Sequence, residues 1–390
     1  MEVSYFAETN HHGKFVRFGI KQPDRLSHMH VLGATGVGKS TLLKALMRGD
    51  LEARRGFALL DPHGDLAEAV RDDAAALGRP IIYLDAADPA QPFSYNPLRR
   101  VRDDKIPLAV AGLMDAMKMM WSDAWGVRME HILRNSLHTL IERDGSTLPD
   151  LLRLYAEKGF RQEVTSRARN DIVRTFWRTE FAHYPDRYRL EAMAPIQNKV
   201  GALLTDPRVF RCFVDGPVPL SFRSMMDQGT VLVANLSKGR LGPQSADVLG
   251  SILVATMAMA ALSRSEDAPA SRRPFSLVID EFQSFTTLAF ANLMPELRKM
   301  GVGVVAAHQY LHQLDDDVRH SVLANAGTLI AFRVGADDAA LIARLMQPKF
   351  GVLDLLNLHN RSFFTRLMID GVPSRPFSAG IRFAGTIHRV

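Results

Sequence analysis

Apolar residues follow two different rhythms along this chain. In the first hundred residues, and again beyond about residue 213, short apolar runs such as FALLDP, TVLVANLS and SLVIDEF end at a glycine or a polar residue. Runs of this kind, separated by helical stretches, are typical of a parallel sheet that helices cover on both faces. Between residues 104 and 212 the apolar residues instead recur at steps of three and four, as in RMEHILRNSLHTLIE, which indicates amphipathic helices.

We therefore predict an α/β fold with a mostly parallel sheet, interrupted by an all-helical inserted domain. Residues 1–103 and 213–390 would form the α/β domain, and residues 104–212 the insertion. The longest stretch without a charged residue lies between Asp247 and Arg264. It is shorter than the ~20 residues that a bilayer span needs, so we interpret it as a buried helix and expect no transmembrane segment.

A glycine-rich segment lies between the apolar run MHVL and the helical run TLLKALMR. It matches G-x-x-x-x-G-K-[ST] through Gly33, Gly38, Lys39 and Ser40. Backbone N–H groups of such a loop wrap the β-phosphate of a nucleotide, and the helix N-terminus adds its positive end. The lysine neutralises β- and γ-phosphate oxygens, and the serine binds Mg²⁺. We predict a site for ATP and Mg²⁺ whose nucleotide-binding residues are Gly33, Ala34, Thr35, Gly36, Val37, Gly38, Lys39, Ser40 and Thr41.

Two further apolar runs end in residues that suit this chemistry. In SLVIDEF the apolar run SLVI is followed by Asp280 and Glu281. Asp280 would hold Mg²⁺ through water, and Glu281 would act as general base on the attacking water. This acidic pair favours a hydrolase over a kinase, because a kinase must keep water away from the γ-phosphate. VGVVAAHQ follows soon afterwards and ends in Gln309, which either reads the γ-phosphate or is a plain amide at a strand end.

The net charge indicates which partners the protein could bind, and the cysteine content indicates the cellular compartment. The net charge is +6 and the pI is about 9.5, which favours a polyanionic partner such as nucleic acid or an anionic membrane surface. Cys212 is the single cysteine, so an internal disulfide and a multi-thiolate metal site are both excluded. A reducing cytoplasm fits this composition.

The phosphate site is one of several segments that together match a known family. The others are LLDPHGDLAE, YLDAADPAQPFSYNPL, NLSKGRLG and ELRKMGVGVVAAHQYLHQL. Over nearly its whole length the chain resembles the TraG/TraD-type conjugative coupling ATPases of the HerA/FtsK superfamily. The resemblance implies a RecA-like P-loop core, a hexameric ring with active sites at subunit interfaces, and DNA as the polymer that is moved. It also implies that Gln309 is a sensor and that Arg298 is a finger that reaches the neighbour's ATP.

Two departures from the family bear on these expectations. Membrane coupling proteins of the family carry N-terminal transmembrane helices, and we expect none here. A soluble branch, a chain that lacks its anchor, and a cytoplasmic motor recruited to the inner face of the membrane by a partner all remain open. Pro295 lies shortly before Arg298 and either kinks its helix or begins a new one there.

Three functions follow from this interpretation. The first is an ATP-driven DNA translocase of a conjugative or type IV secretion-related system, with a relaxosome or secretion-channel partner. The second is a HerA-like motor that works with a nuclease in DNA end processing or defence. The third is a nucleotide-dependent docking protein for secretion that moves no DNA.

Two smaller segments leave their roles open. Lys238 and Arg240, separated by Gly239 in SKGR, would form a flexible loop that contacts either DNA or the neighbour's nucleotide. His63, in DPHGD, lies either near the nucleotide or in a turn held by Asp and Gly. We favour the turn.

Overall fold

The computed structural model describes residues 3–10, 15–121, 125–214 and 217–381. Contacts divide the chain into two compact units. The sheet unit comprises Met1–Leu84, Arg223–Asn235 and Arg264–Val390, and the helical unit comprises Asp85–Phe222 and Leu236–Ser263. The helices expected at 104–212 fall within the helical unit, which begins earlier and also includes a later segment of the chain.

Fifteen strands are formed by the described residues. In chain order they are β1 (Val3–Thr9), β2 (Arg17–Lys21), β3 (Met29–Leu32), β4 (Gly56–Asp61), β5 (Ile82–Asp85), β6 (Phe93–Ser94), β7 (Val218–Pro219), β8 (Val231–Asn235), β9 (Phe275–Ile279), β10 (Val302–His308), β11 (Thr328–Ala331), β12 (Ser362–Arg366), β13 (Met368–Ile369), β14 (Val372–Pro373) and β15 (Phe377–Gly380).

Seventeen α-helices lie between these strands in the same residues. They are α1 (Gln22–Arg25), α2 (Lys39–Glu52), α3 (Asp65–Ala76), α4 (Ile106–Met120), α5 (Val127–Ile141), α6 (Leu148–Ala156), α7 (Lys158–Ser166), α8 (Asp171–Thr175), α9 (Asp186–Thr205), α10 (Pro207–Phe213), α11 (Phe222–Gln228), α12 (Lys238–Leu241), α13 (Pro243–Leu262), α14 (Leu288–Lys299), α15 (Asp316–Asn325), α16 (Ala336–Met346) and α17 (Val352–Leu356).

The main sheet has eleven strands in the order β2-β1-β15-β12-β11-β3-β10-β9-β4-β8-β5. The strands β11, β3, β10, β9, β4 and β8 pair parallel with one another in that order. On the far side of β11, the strands β12, β15, β1 and β2 pair antiparallel. The predicted α/β fold with a mostly parallel sheet is therefore confirmed. Because the parallel strands share one direction, their carboxyl ends lie along one edge of the sheet, where α/β proteins bind ligands.

Helices cover both faces of the parallel strands, which is why those strands are mostly apolar rather than alternating. Every residue of β3, β4, β8, β9 and β10 is buried. Val31 packs in one core cluster with residues of α2 and α3, whereas the adjacent Leu32 packs in another with residues of α16. Successive side chains of a strand point to opposite faces, so β3, β11 and β12 each contribute to both clusters.

The helical unit has its own buried contacts. Thr147 is the N-cap of α6, and its N–H donates to Asp150 Oδ2 at 3.1 Å in a capping box. The apolar stretch expected to be a buried helix is α13, whose residues pack against α4. By length and composition Pro243–Glu266 is apolar enough to cross a membrane, but 67% of its apolar window is buried inside the protein.

Candidate nucleotide site

The glycine-rich segment Gly33–Thr41 connects β3 to the first turn of α2. Gly36 and Gly38 adopt φ angles of 77° and 121°, a region that side chains other than glycine rarely tolerate. A Cβ atom on Gly33 would lie 2.6 Å from Cβ of Phe332, so the loop also needs a glycine there for space. No side chain caps α2, which leaves the N–H groups of its first turn for an anion.

Lys39 lies over this loop. Its Nζ atom donates to the carbonyl oxygens of Gly33 at 2.6 Å and Ala34 at 3.1 Å. Burial lowers the pKa of Lys39 below its ordinary value, and the charges of Glu281 and Asp280 oppose that shift. A cation held by backbone oxygens beside two carboxylates is placed to bind phosphate oxygens at the mouth of the loop.

The Asp-Glu pair lies directly after β9, which is the second strand from β3 in the sheet. Asp280 is 4% exposed, and its pKa is raised to about 6 by burial and then by the charges of Asp61 and Glu281. A divalent cation would stabilise the ionised form of this crowded carboxylate. The carboxylate oxygens of Asp280 and the hydroxyl oxygen of the exposed Ser40, at the start of α2, are the hard ligands that Mg²⁺ prefers. The residues present therefore fit that ion.

Gln309 joins the glycine-rich loop to Glu281. Thr35 Oγ1 donates to Gln309 Oε1 at 2.8 Å, and Gln309 Nε2 donates to Glu281 Oε1 at 2.7 Å. This contact follows from the parallel pairing of β9 with β10, which brings the ends of the two strands side by side. The amide therefore lies between the phosphate loop and the carboxylate expected to activate water.

Glu281 is held by several donors. Gln283 Nε2 donates to Oε2 at 2.6 Å, and His63 Nε2 lies 3.6 Å from Oε1, within ion-pair range. Burial raises the pKa of Glu281, but the contacts with His63, Gln283 and Gln309 outweigh it and lower the pKa to about 2. Its backbone has φ 49°, a strained left-handed conformation for a residue with a side chain.

The DPHGD segment satisfies both interpretations of its histidine. Asp61 is buried, and its two oxygens accept from the N–H groups of His63 at 2.9 Å and Ala67 at 2.8 Å, so it holds a turn. His63 nevertheless reaches the site through its contact with Glu281. Residue types alone left these alternatives open, because the direction of the side chain depends on how β4 pairs with β9.

Arg361 was missed by the sequence analysis. Its backbone N–H donates to the carbonyl oxygen of Val37 at 2.7 Å, and its Cα atom is 3.3 Å from where a Cβ on Gly38 would lie. The turn before β12 therefore supports the glycine-rich loop from the side. More than 300 positions separate these residues, and no motif pointed to the contact.

Arg298 is an exposed residue of the last turn of α14, which continues through Pro295 without a break. A new helix therefore does not begin at that proline. The strand β10 then runs for seven residues toward Gln309, a distance of about 20 Å at ~3.3 Å per residue. Consistently, burial lowers the pKa of His28, and the charge of Arg298 adds to that lowering. His28 precedes β3, at the opposite end of the strand from the phosphate loop. Arg298 is thus remote from its own nucleotide site.

Lys238 and Arg240 belong to the helical turn α12, so the expectation of a flexible loop hinged at Gly239 is wrong. Lys238 Nζ lies 2.8 Å from Asp247 Oδ1, and Arg240 contacts Asp85 Oδ2 at 2.7 Å. Both cations thus have acidic partners within the helical unit, and their contact with DNA or a neighbour stays a prediction.

Several solved structures resemble this chain in fold. The plasmid coupling protein TrwB shares the fold, as do the bacterial conjugative coupling protein TrwBdeltaN70 in its unbound form and VirB4 of Thermoanaerobacter pseudethanolicus. Unbound TrwBdeltaN70 has a TM-score of 0.69 at 19% identity, over 92% of this chain and 85% of its own. TrwB in complex with ADP and Mg²⁺ gives 0.69 at 19%, over 94% and 87%, and VirB4 gives 0.66 at 14%, over 98% and 97%.

These likenesses show a RecA-like P-loop fold, as the resemblance of the sequence implied. No curated protein matches the chain in sequence. The profile of the type IV secretion-system coupling protein DNA-binding domain matches residues 18–355, which is most of the chain. The chain therefore belongs to the family of type IV secretion-system coupling protein DNA-binding domains.

Proposed function

We propose that this protein is an ATP-driven DNA translocase of a conjugative or type IV secretion-related system, and that it works as a hexameric ring. The observation that carries the proposal is the convergence of three strand ends. The phosphate loop after β3, Gln309 after β10 and the Asp280-Glu281 pair after β9 meet at one edge of the sheet, linked by hydrogen bonds. Family membership supports DNA as the substrate.

Each residue has a role in this mechanism. Backbone N–H groups of the glycine-rich loop and Lys39 hold the phosphates, and Glu281 accepts a proton from the attacking water. Gln309 links the γ-phosphate position to Glu281. Mg²⁺, held through Ser40 and Asp280, supplies positive charge that stabilises the phosphate oxygens. The TrwB structures with ADP and Mg²⁺ and with an ATP analogue support these ligands.

The position of Arg298 supports a site completed by a second subunit. It lies at the opposite edge of the sheet from its own phosphate loop, so it serves a nucleotide only if another copy of the chain presents one. A head-to-tail interface of this kind closes into a ring if its rotation permits. We propose six subunits, by the resemblance to the coupling ATPases.

DNA should accelerate ATP hydrolysis. We expect single- or double-stranded DNA to raise the turnover rate, and the native mass to be a multiple of the 43.4 kDa subunit, six subunits in the active form. The measurement is the steady-state rate with and without each DNA, alongside native mass spectrometry. A rate that no DNA changes would favour the nucleotide-dependent docking protein instead.

The identity of the partner protein would distinguish the conjugative motor from the HerA-like motor. A conjugative motor should bind a relaxosome or secretion-channel protein, whereas a HerA-like motor should bind a nuclease. We propose that the helical unit recruits the substrate or such a partner. We also propose a cytoplasmic location, with recruitment to the inner face of the membrane.

Lys238 and Arg240 allow a test of the DNA path. If they contact phosphates, the double change Lys238→Ala plus Arg240→Ala should weaken DNA binding and lower the slope of log K against log salt by about 1–2, with basal ATPase intact. Binding measured at several salt concentrations gives the slope.

A matched control distinguishes DNA contact from internal pairing. Asp85→Asn plus Asp247→Asn breaks the same two ion pairs but keeps both cations. If the asparagine variant loses DNA affinity as the alanine variant does, the cations act by stabilising the helical unit. Loss of basal ATPase in the alanine variant alone would move these residues to the subunit interface.

A further inference from the structure

The carboxylate of Glu281 is nearly closed off from solvent. Its side chain is 9% exposed, whereas that of His63 beside it is 55% exposed. Gln309 and Gln283 also contact the carboxylate, but each presents an amide N–H that cannot take up a proton. Among the described residues that contact Glu281, His63 is the one whose ring nitrogen can receive a proton and release it to water.

The position of His63 beside Glu281 follows from strand pairing and from a turn. β4 pairs with β9 so that Leu60 lies opposite Ile279, and the N–H of Asp280 donates to Leu60 O at 3.1 Å. The chain then turns through Gly64, which has a φ of 97°, and the buried Asp61 accepts from the N–H of His63 in that turn and from the N–H of Ala67 in the first turn of α3. His63 is therefore held at the apex of a turn beside Glu281.

Resting on the proposed ATP hydrolysis, we propose that His63 takes the proton from Glu281 and passes it to solvent. As the water oxygen bonds to the γ-phosphorus and the bond from phosphorus to the ADP oxygen breaks, one water proton moves to Glu281 Oε1. It then moves to Nε2 of the neutral imidazole, which becomes imidazolium and loses a proton to the buffer. The carboxylate is thereby restored for the next turnover.

The acidities favour this direction of transfer. The ordinary pKa of a glutamic acid lies below that of an imidazolium, so a proton taken up by Glu281 moves to a neutral ring at His63. The pKa of His63 is raised above its usual value, chiefly by its contact with Glu281, while burial opposes the shift and the charges of Asp280, Glu281 and Asp61 add to it. The neutral acceptor is therefore populated above this raised pKa, and kcat should rise with pH through it.

His63→Ala should lower kcat by roughly 10- to 100-fold, which reaches the lower end of the range for assisted proton transfer, while KM for ATP stays unchanged. The pH dependence attributed to His63 should disappear from the kcat profile. Added imidazole should restore activity to the alanine variant, because the small molecule can occupy the vacated space and carry the proton. Steady-state ATPase assays across pH, with and without imidazole, measure all three effects.

His63→Gln is the matched control, since it keeps an N–H donor near Glu281 but cannot accept a proton. The relay requires that this variant be as slow as the alanine variant. Wild-type activity in the glutamine variant, or no imidazole effect in the alanine variant, overturns the relay and leaves the proposed ATPase standing. Absence of hydrolysis by the wild-type protein overturns the proposed function itself. Binding of a fluorescent ATP analogue confirms that each variant is folded.

Discussion

Glu281→Gln should bind ATP as the wild-type protein does and hydrolyse it about 10²–10⁴ times more slowly. Glutamine has the size of glutamate but cannot take a proton from water. The neighbouring Asp280 and the phosphate loop keep their chemistry, so the nucleotide and Mg²⁺ should still bind. Equilibrium binding of an ATP analogue and single-turnover hydrolysis separate the two effects.

Lys39→Ala serves as the comparison, because it should lose nucleotide affinity as well as turnover. Its Nζ atom is held at the glycine-rich loop by two backbone oxygens, so its removal takes away the cation at the phosphate position. Near wild-type hydrolysis by Glu281→Gln would mean that the base has been assigned to the wrong residue.

Arg298→Ala should reduce turnover by about 10³-fold or more if it supplies a finger to the neighbouring site. The effect should reside in the neighbour, since the arginine is remote from its own phosphate loop. Mixing Arg298→Ala with Glu281→Gln tests this directly. Neither variant should hydrolyse ATP alone, but the mixed ring contains sites with an intact Glu281 facing an intact Arg298, so activity should return.

Lys299→Ala is the control for charge and position. Lys299 follows Arg298 at the same helix end and pairs with Glu296 at 2.7 Å, so its loss should leave turnover nearly unchanged. Failure of the mixed subunits to regain activity would contradict action across an interface. For the wild-type protein, turnover per subunit should also rise with protein concentration as rings assemble.

The phosphate loop could be predicted from the sequence because its determinants are local. The tight turn needs glycines at close spacing, and the lysine and serine that follow must begin a helix, so the whole loop lies within Gly33–Thr41. The functional residues at strand ends could be predicted from the sequence almost as well. Asp280 and Gln309 each follow an apolar run, and parallel strands bring such ends to one edge.

The extent of the two units depended on contacts that sequence proximity does not reveal. α13 is apolar on all sides, and its pattern alone predicts burial without naming the partner. In the structure it packs with α4 in the helical unit, although about 120 residues of chain lie between the two helices. SKGR likewise reads as a loop, but it forms a helical turn whose two cations pair with Asp85 and Asp247.

From the residues alone, an α/β core with a phosphate loop, an acidic pair and a helical region could be predicted, because each is encoded by neighbouring residues or by one repeating period. The side chains that surround Glu281, and the edge of the sheet that carries Arg298, could be known only from the fold. His63 contacts Glu281 because β4 pairs with β9, and Arg361 supports the glycine-rich loop because β12 pairs with β11. Such contacts depend on strand order, which joins residues hundreds of positions apart and leaves no local pattern in the chain.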